Sequence, residues 1–255
     1  MTDKYKIKFL GTAGARFVML NQMRASGGVW ISRGKTNMII DPGPGSLVRC
    51  IKSRPKLDPS GLDGIILTHR HLDHSGDVNV MIEAMTGGGF KKRGIVFAPD
   101  DALNDDPVIL RYNRAFPEKI EFLKEGGKYQ CGEITFTTPL KHIHGTETYG
   151  LIFLKDGKKH VSFITDTKYF DKLEKVYDSE YIIISVVRFI PKEGLDHLDI
   201  NDVEKIIKNT SAKKYILTHF GMTMIKAKPH IVAENLSQKL KKEVIAASDG
   251  MTIEF

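Results

Sequence analysis

The stretch Thr68-His69-Arg70-His71-Leu72-Asp73-His74 places three imidazoles and one carboxylate within six residues and spells H-x-H-x-D-H. Neutral imidazole and carboxylate are the ligands of zinc and similar divalent cations. A lone histidine is usually a hydrogen-bonding group, but three with an aspartate in this pattern read as a ligand cluster. The apolar run Gly64-Ile65-Ile66-Leu67 precedes the motif, and residues 78–86 behind it read as a helix. The motif therefore sits where a buried strand hands over to a helix. A tight turn there can point alternate side chains at one spot, so that a single loop serves two metals.

Partners for the motif stand at the ends of other apolar runs. His144 lies in His142-Ile-His144-Gly-Thr-Glu-Thr-Tyr-Gly150, Asp166 in Phe163-Ile-Thr-Asp-Thr167, and His219 in Ile216-Leu-Thr-His-Phe-Gly221. The carboxyl ends of strands are where α/β folds assemble sites. A two-metal site can be built from these: one cation on His69, His71 and His144, the other on Asp73, His74 and His219, with Asp166 bridging through its two oxygens. Cations about 3.5–4 Å apart hold a hydroxide between them, lower its pKa towards neutral and offset developing charge, which is the chemistry of hydrolysis. Asp73 would also orient the nucleophile's proton. His197, in Asp196-His197-Leu-Asp-Ile200, reads either as a general acid or anion contact for a leaving oxygen or as a polar residue ahead of a helix. His142, two residues from His144, shares its strand face and is its rival as ligand. His160 and His230 read as structural or solvated.

The elements that must position these groups are legible in outline. Strands are expected at 5–10, 29–41, 94–98, 119–123, 132–140, 149–154, 160–165, 181–185, 214–218, 243–246 and 252–255, and helices at 46–53, 78–86, 200–208 and 230–239. Lys155-Asp156-Gly157-Lys158 carries a hairpin signal. Asp41-Pro-Gly-Pro-Gly45 is a stiff turn, and Asp41 reads equally as its cap or as an acceptor behind a ligand histidine. The glycine-bearing loop from Gly11 to Gly28 brings Arg24 and Ser26, where Arg24 could face an anion or could be an ordinary surface group. Asp100, Asp101, Asp105 and Asp106 lack ligand spacing and read as caps and surface. Many strands with few helices, followed by mixed α/β units and no linker or repeat, give one domain over residues 1–255.

Composition narrows the setting. With 255 residues and 41% hydrophobic residues the chain can bury a large core. No apolar run approaches the roughly 18 residues of a membrane helix, and the N-terminus lacks a signal-peptide core, so a cytoplasmic protein is expected. Cys50 and Cys131 form no disulfide framework or metal pattern and read as reduced thiols. A net charge of +7 favours acidic partners such as nucleotides or RNA, although the basic clusters are scattered and lack interleaved aromatics.

Together these residues resemble the metallo-β-lactamase superfamily, closest to its ribonuclease Z-like phosphodiesterase branch. The resemblance rests on Phe9-Leu-Gly-Thr12 with Arg24 and Ser26 beyond, on Ile40-Asp41, on H-x-H-x-D-H, and on His144 followed at plus five and six by Tyr149-Gly150; Asp166 and His219 match the fourth and fifth motifs. It selects His144 over His142. It implies a four-layer αββα sandwich with the metals at one edge of the two sheets, and it likens the His197 segment to a histidine-bearing segment near the site in those phosphodiesterases.

Departures shape the expectation. Ribonuclease Z carries a tRNA-gripping arm between the positions of His144 and Asp166, and here that short interval is filled by two strands and a hairpin. The compact cyclic phosphodiesterases also lack the arm and fit better, but their extra cysteine zinc site has no counterpart in Cys50 and Cys131. Redox diiron members carry glutamate where His71 stands, and zinc β-lactamases usually replace the bridging aspartate with cysteine. The expected activity is thus a dinuclear metal-dependent phosphodiesterase acting on a small nucleotide or RNA end, with Arg24 and Ser26 at the substrate and zinc favoured over manganese or iron. A glyoxalase-II-like thioester or ester hydrolase is the alternative; a tRNA 3′-processing endonuclease and a non-catalytic nucleic-acid-binding relative rank below it. Dimers occur in the family, so a homodimer is compatible with the resemblance.

Overall fold

Short runs of β-branched and aromatic residues between glycine and proline turns become strands, and apolar residues at helical spacing become the helices that cover them. The computed structural model describes residues 4–14, 16–104 and 106–255. The first half contains β1 (Tyr5–Phe9), α1 (Phe17–Leu20), β2 (Val29–Arg33), β3 (Thr36–Ile40), α2 (Ser46–Lys52), β4 (Gly64–Ile66), α3 (Leu72–Ser75), α4 (Val78–Thr86), β5 (Ile95–Ala98) and β6 (Lys119–Phe122). The second half contains β7 (Gly127–Cys131), β8 (Ile134–Thr138), β9 (Leu151–Lys155), β10 (Lys158–Ile164), α5 (Leu173–Tyr177), β11 (Tyr181–Ser185), α6 (Ile200–Lys208), β12 (Lys214–Thr218), α7 (Met222–Lys226), α8 (Pro229–Leu240), β13 (Val244–Ala246) and β14 (Thr252–Glu254).

Two seven-stranded mixed sheets result, ordered β14-β1-β2-β3-β4-β5-β6 and β13-β12-β11-β10-β9-β8-β7. In each, one half is antiparallel and the other parallel: β3, β4, β5 and β6 run together in the first sheet, and β10, β11, β12 and β13 in the second. Parallel strands are covered on both faces, which is why Gly64–Ile66 is buried throughout. The inner faces meet in a core containing Tyr5, Phe9, Phe97, Phe136, Phe153 and Ile216. Cys50 of α2 and Val78, Met81, Ile82 and Met85 of α4 cover the outer face of the first sheet. Leu173, Val203, Ile206, Val232 and Leu236 from α5, α6 and α8 cover the second. This is the four-layer αββα sandwich.

Two strands differ from expectation. Residues 29–41 form not one strand but the antiparallel pair β2 and β3, because Gly34 at φ +56 turns the chain between them. The strand expected at 132–140 is the shorter β8, preceded by an unanticipated β7 whose Lys128 and Gln130 are exposed while Tyr129 and Cys131 are buried. The adjacent glycines Gly126 and Gly127 disguise that alternation as a turn. The short helices α1, α3, α5 and α7 were also not anticipated, since four or five residues carry too little periodicity to read.

Both cysteines are buried and unpaired, and burial pushes each thiol up to about 12. Among the described residues, no helix is long and apolar enough to cross a membrane.

Candidate metal centre

The carboxyl ends of β3, β4, β10 and β12 lie at one edge of the sandwich and deliver Asp41, the His69–His74 loop, Asp166 and His219; the loop after β8 delivers His144. The loops can approach because Gly43 has no side chain: a Cβ there would lie 2.0 Å from the Asp73 carbonyl oxygen and 2.2 Å from that of Ser26. Asp41 and His219 hold positive φ values, +50 and +61, conformations that Asp and His tolerate better than most residues.

The imidazoles are oriented from behind. Asp41 accepts hydrogen bonds from the Thr68 amide (2.6 Å) and the Thr68 hydroxyl (2.7 Å) and faces His74 Nδ1 at 2.9 Å. The Thr68 hydroxyl lies 3.2 Å from His69 Nδ1, and the Asp196 carbonyl oxygen lies 2.7 Å from His144 Nδ1. With each Nδ1–H donating to these oxygens, the Nε2 lone pairs of His69, His74 and His144 are left for a cation. Of the two roles that the sequence left open, Asp41 takes that of an acceptor behind a histidine; among the described residues its carboxylate bonds Thr68 and His74 and not its own turn. Asp41→Asn, which tolerates the same backbone conformation, is expected to weaken metal binding about 10–100-fold by loosening His74 and Thr68. Competition with a chelator measures this, and unchanged affinity would refute it.

The ligand atoms form two triads, His69/His71/His144 and Asp73/His74/His219, each with its atoms within 4.8 Å of one another. His144 Nε2 is 3.1 Å from His71 Nδ1, and His74 Nε2 is 3.0 Å from His219 Nε2. Asp166 stands between the triads. Its Oδ2 is 3.6 Å from His74 Nε2 and 3.7 Å from His144 Nε2, and its Oδ1 is 3.3 Å from His219 Nδ1. His197 Nδ1 is 3.5 Å from the same carboxylate.

The residues present fit divalent cations. His69 Nε2, Asp73 Oδ2, Asp166 Oδ1 and His219 Nδ1 are buried and lack hydrogen-bond partners among the described residues. Orphaned polar atoms of this kind cost about 1–3 kcal/mol each unless something coordinates them. Electrostatics agree. Burial opposes charge on His74, but Asp73, Asp41 and Asp166 outweigh it and hold its pKa well above the usual histidine range. Burial likewise opposes charge on Asp73 and Asp166, yet His74 and His219 outweigh it and hold both below the usual carboxylate range. Carboxylates that draw a proton onto His74 would equally hold a metal ion. Burial, with neighbouring imidazoles, pushes His69 well down and lowers His71, keeping both neutral as ligands must be.

His142 is engaged otherwise: Nδ1 lies 3.3 Å from the Asp166 carbonyl oxygen and Nε2 2.8 Å from the Tyr177 hydroxyl, and burial pushes its pKa down to about 4. His197 is also pushed down to about 4 by burial, so its neutral form prevails at pH 7. Arg24 donates to the Thr12 hydroxyl at 3.1 Å and stands 5.7 Å over the Phe220 ring, tying the glycine loop to the His219 segment. Ser26 is buried beside a cavity of about 60 Å³ that also touches Asp73, His74 and His219. Neither residue lines the larger cavity at the mouth of the site, which is bounded by Arg16, Met19, Leu20, His71, Leu72, Asp73 and His197. Asp101 receives the Glu147 amide and pairs with Arg70 at 3.6 Å, whereas Asp105 lies outside the described residues.

Sequence reasoning missed Asp249, which accepts from the Thr12 hydroxyl and the Ala25 amide at 2.7 Å each and pins the glycine loop, and it missed the mouth residues on α1. An aspartate ahead of a glycine near the C-terminus carries no local signal for such a role.

Residues 36–220 match the family model described as "Beta-lactamase superfamily domain". The uncharacterized protein MJ1374 of Methanocaldococcus jannaschii is 29% identical over 99% of this chain and 96% of its own length. The probable metallo-hydrolase YhfI of Bacillus subtilis is 25% identical over 98% of this chain and 99% of its own length. The crystal structure of YhfI, a metallo-beta-lactamase fold protein, superposes over all of both chains with a TM-score of 0.79 at 20% identity. A diphosphatase from the PhnP family superposes over 99% of this chain and 97% of its own with a TM-score of 0.71 at 19% identity.

Proposed function

This chain belongs to the beta-lactamase superfamily, and on that premise we propose that it is a metal-dependent hydrolase, a dinuclear phosphodiesterase acting on a small nucleotide or an RNA end. The observation that carries the reading is the pair of triads with Asp166 between them. Two divalent cations held there, zinc by preference, would supply an activated water and stabilise charge on a phosphoryl oxygen. His69, His71 and His144 would hold one ion, Asp73, His74 and His219 the other, and Asp166 would reach both. Asp73, which also lines the mouth, would accept a hydrogen bond from the attacking water and orient it. His197, neutral at pH 7, would donate a hydrogen bond to the phosphate or the departing oxygen. Asp41 and Thr68 would keep the imidazoles aimed. The positive balance of the chain, the Arg16 guanidinium at the mouth and the diphosphatase activity named for one structural neighbour support a phosphate substrate over a thioester.

The test is a substrate panel with purified protein: an aryl phosphodiester, 2′,3′-cyclic nucleotides, a precursor tRNA and a thioester, each with and without chelator. Chelator-sensitive turnover of a small phosphodiester, lost together with bound metal in His69→Ala, is expected. Turnover of the thioester alone would overturn the assignment.

A further inference from the structure

From the mouth of the metal centre we infer that the substrate's phosphate carries an apolar, ring-sized substituent, seated on Met19, Leu20 and Leu72 while Arg16 holds the anion. This deepens the phosphodiesterase reading and rests on it. The mouth is a cavity of about 410 Å³, within the range of small-molecule sites, and opens onto the ligand-set residues His71 and Asp73 and onto His197. Its remaining walls are unlike an ordinary loop surface. Leu72 stands between two residues of the ligand motif with 68% of its surface exposed, and Leu20 of α1 is 62% exposed. Val18, fully buried, anchors α1 and so holds Met19 and Leu20 over the cavity. Large apolar side chains gathered in water around a reactive centre mark a binding surface rather than a packing requirement.

The charged groups fit the same ligand. Among the described residues Asp73 is the only carboxylate bordering the cavity, and it belongs to a candidate metal triad. The Arg16 guanidinium has no ion pair or hydrogen bond among the described residues and can meet a phosphate oxygen as a fork. The apolar wall itself supplies no hydrogen-bonding side chain to read the edge of a base. The selection expected is therefore for apolar surface beside a phosphate, without discrimination among rings of similar size.

Phenyl phosphate and methyl phosphate share the anion and differ only in the substituent. By calorimetry on the zinc-loaded protein, phenyl phosphate is expected to bind at least about tenfold tighter. Leu20→Asn, at an exposed position of α1, and Met19→Gln, at a half-buried one, should each shrink that preference several-fold. Arg16→Gln should weaken both ligands by the same factor, roughly five- to tenfold. Equal affinity of the two phosphates, or a preference untouched by both apolar variants, overturns the inference while leaving the phosphodiesterase reading intact. Retained phenyl preference without phosphodiester turnover sinks that reading alone.

Discussion

Asp166→Asn is expected to lower kcat/KM on a phosphodiester at least about 10³-fold and to reduce bound metal below two equivalents, with the fold intact. The asparagine keeps the shape of the side chain and removes its charge. Asp166 is 2% exposed and lies within 3.3–3.7 Å of His74, His144, His197 and His219, which places one carboxylate between the two candidate triads. An amide oxygen can still touch one cation but offers no second anionic oxygen to the other. It also leaves the imidazole cluster without its central counter-charge. Elemental analysis of the metal content, circular dichroism and initial rates together check this. A variant with two metal equivalents and activity within tenfold of the parent would show that Asp166 does not join the triads.

Phe136→Ala is expected to destabilise the protein by about 3–5 kcal/mol, the range for a large aromatic removed from a close-packed core. For a chain of this size that corresponds to a fall in Tm of roughly 6–20 °C. Phe136 is fully buried on β8 and packs edge-on to Phe97 of β5 with ring centroids 5.0 Å apart. It also stacks on Tyr129 at 5.1 Å and meets Phe153 at 5.7 Å. Its ring therefore fastens the second sheet to the first, and the cavity left behind would be lined by groups fixed in two different sheets. Scanning calorimetry measures the shift; a drop under 2 °C would mean that the two sheets close over the gap.

The candidate metal centre also draws on both sheets of the sandwich. Asp41 and the His69–His74 loop come from the first sheet, whereas His144, Asp166 and His219 come from the second. The triads exist only while the sheets hold their mutual register.

The candidate ligand cluster was legible in the sequence because coordination chemistry restricts residue type and because strand-to-helix turns keep His69, His71, Asp73 and His74 together along the chain. His144, Asp166 and His219 were legible as polar residues closing apolar runs, and family resemblance separated His144 from His142. The physical ground for that separation appears only in space, where both nitrogens of His142 have partners in the Asp166 carbonyl and the Tyr177 hydroxyl. Tertiary structure likewise decided that Asp41 holds Thr68 and His74, that Arg24 reaches Thr12 and Phe220, and that Arg16, Met19 and Leu20 border a cavity beside the candidate metal centre. Apart from Asp41, whose turn suggested an acceptor behind a histidine, none of these has a local signature. Hydrogen bonds and cavity walls join residues distant in the chain, whereas composition and spacing register only what neighbours along it have in common.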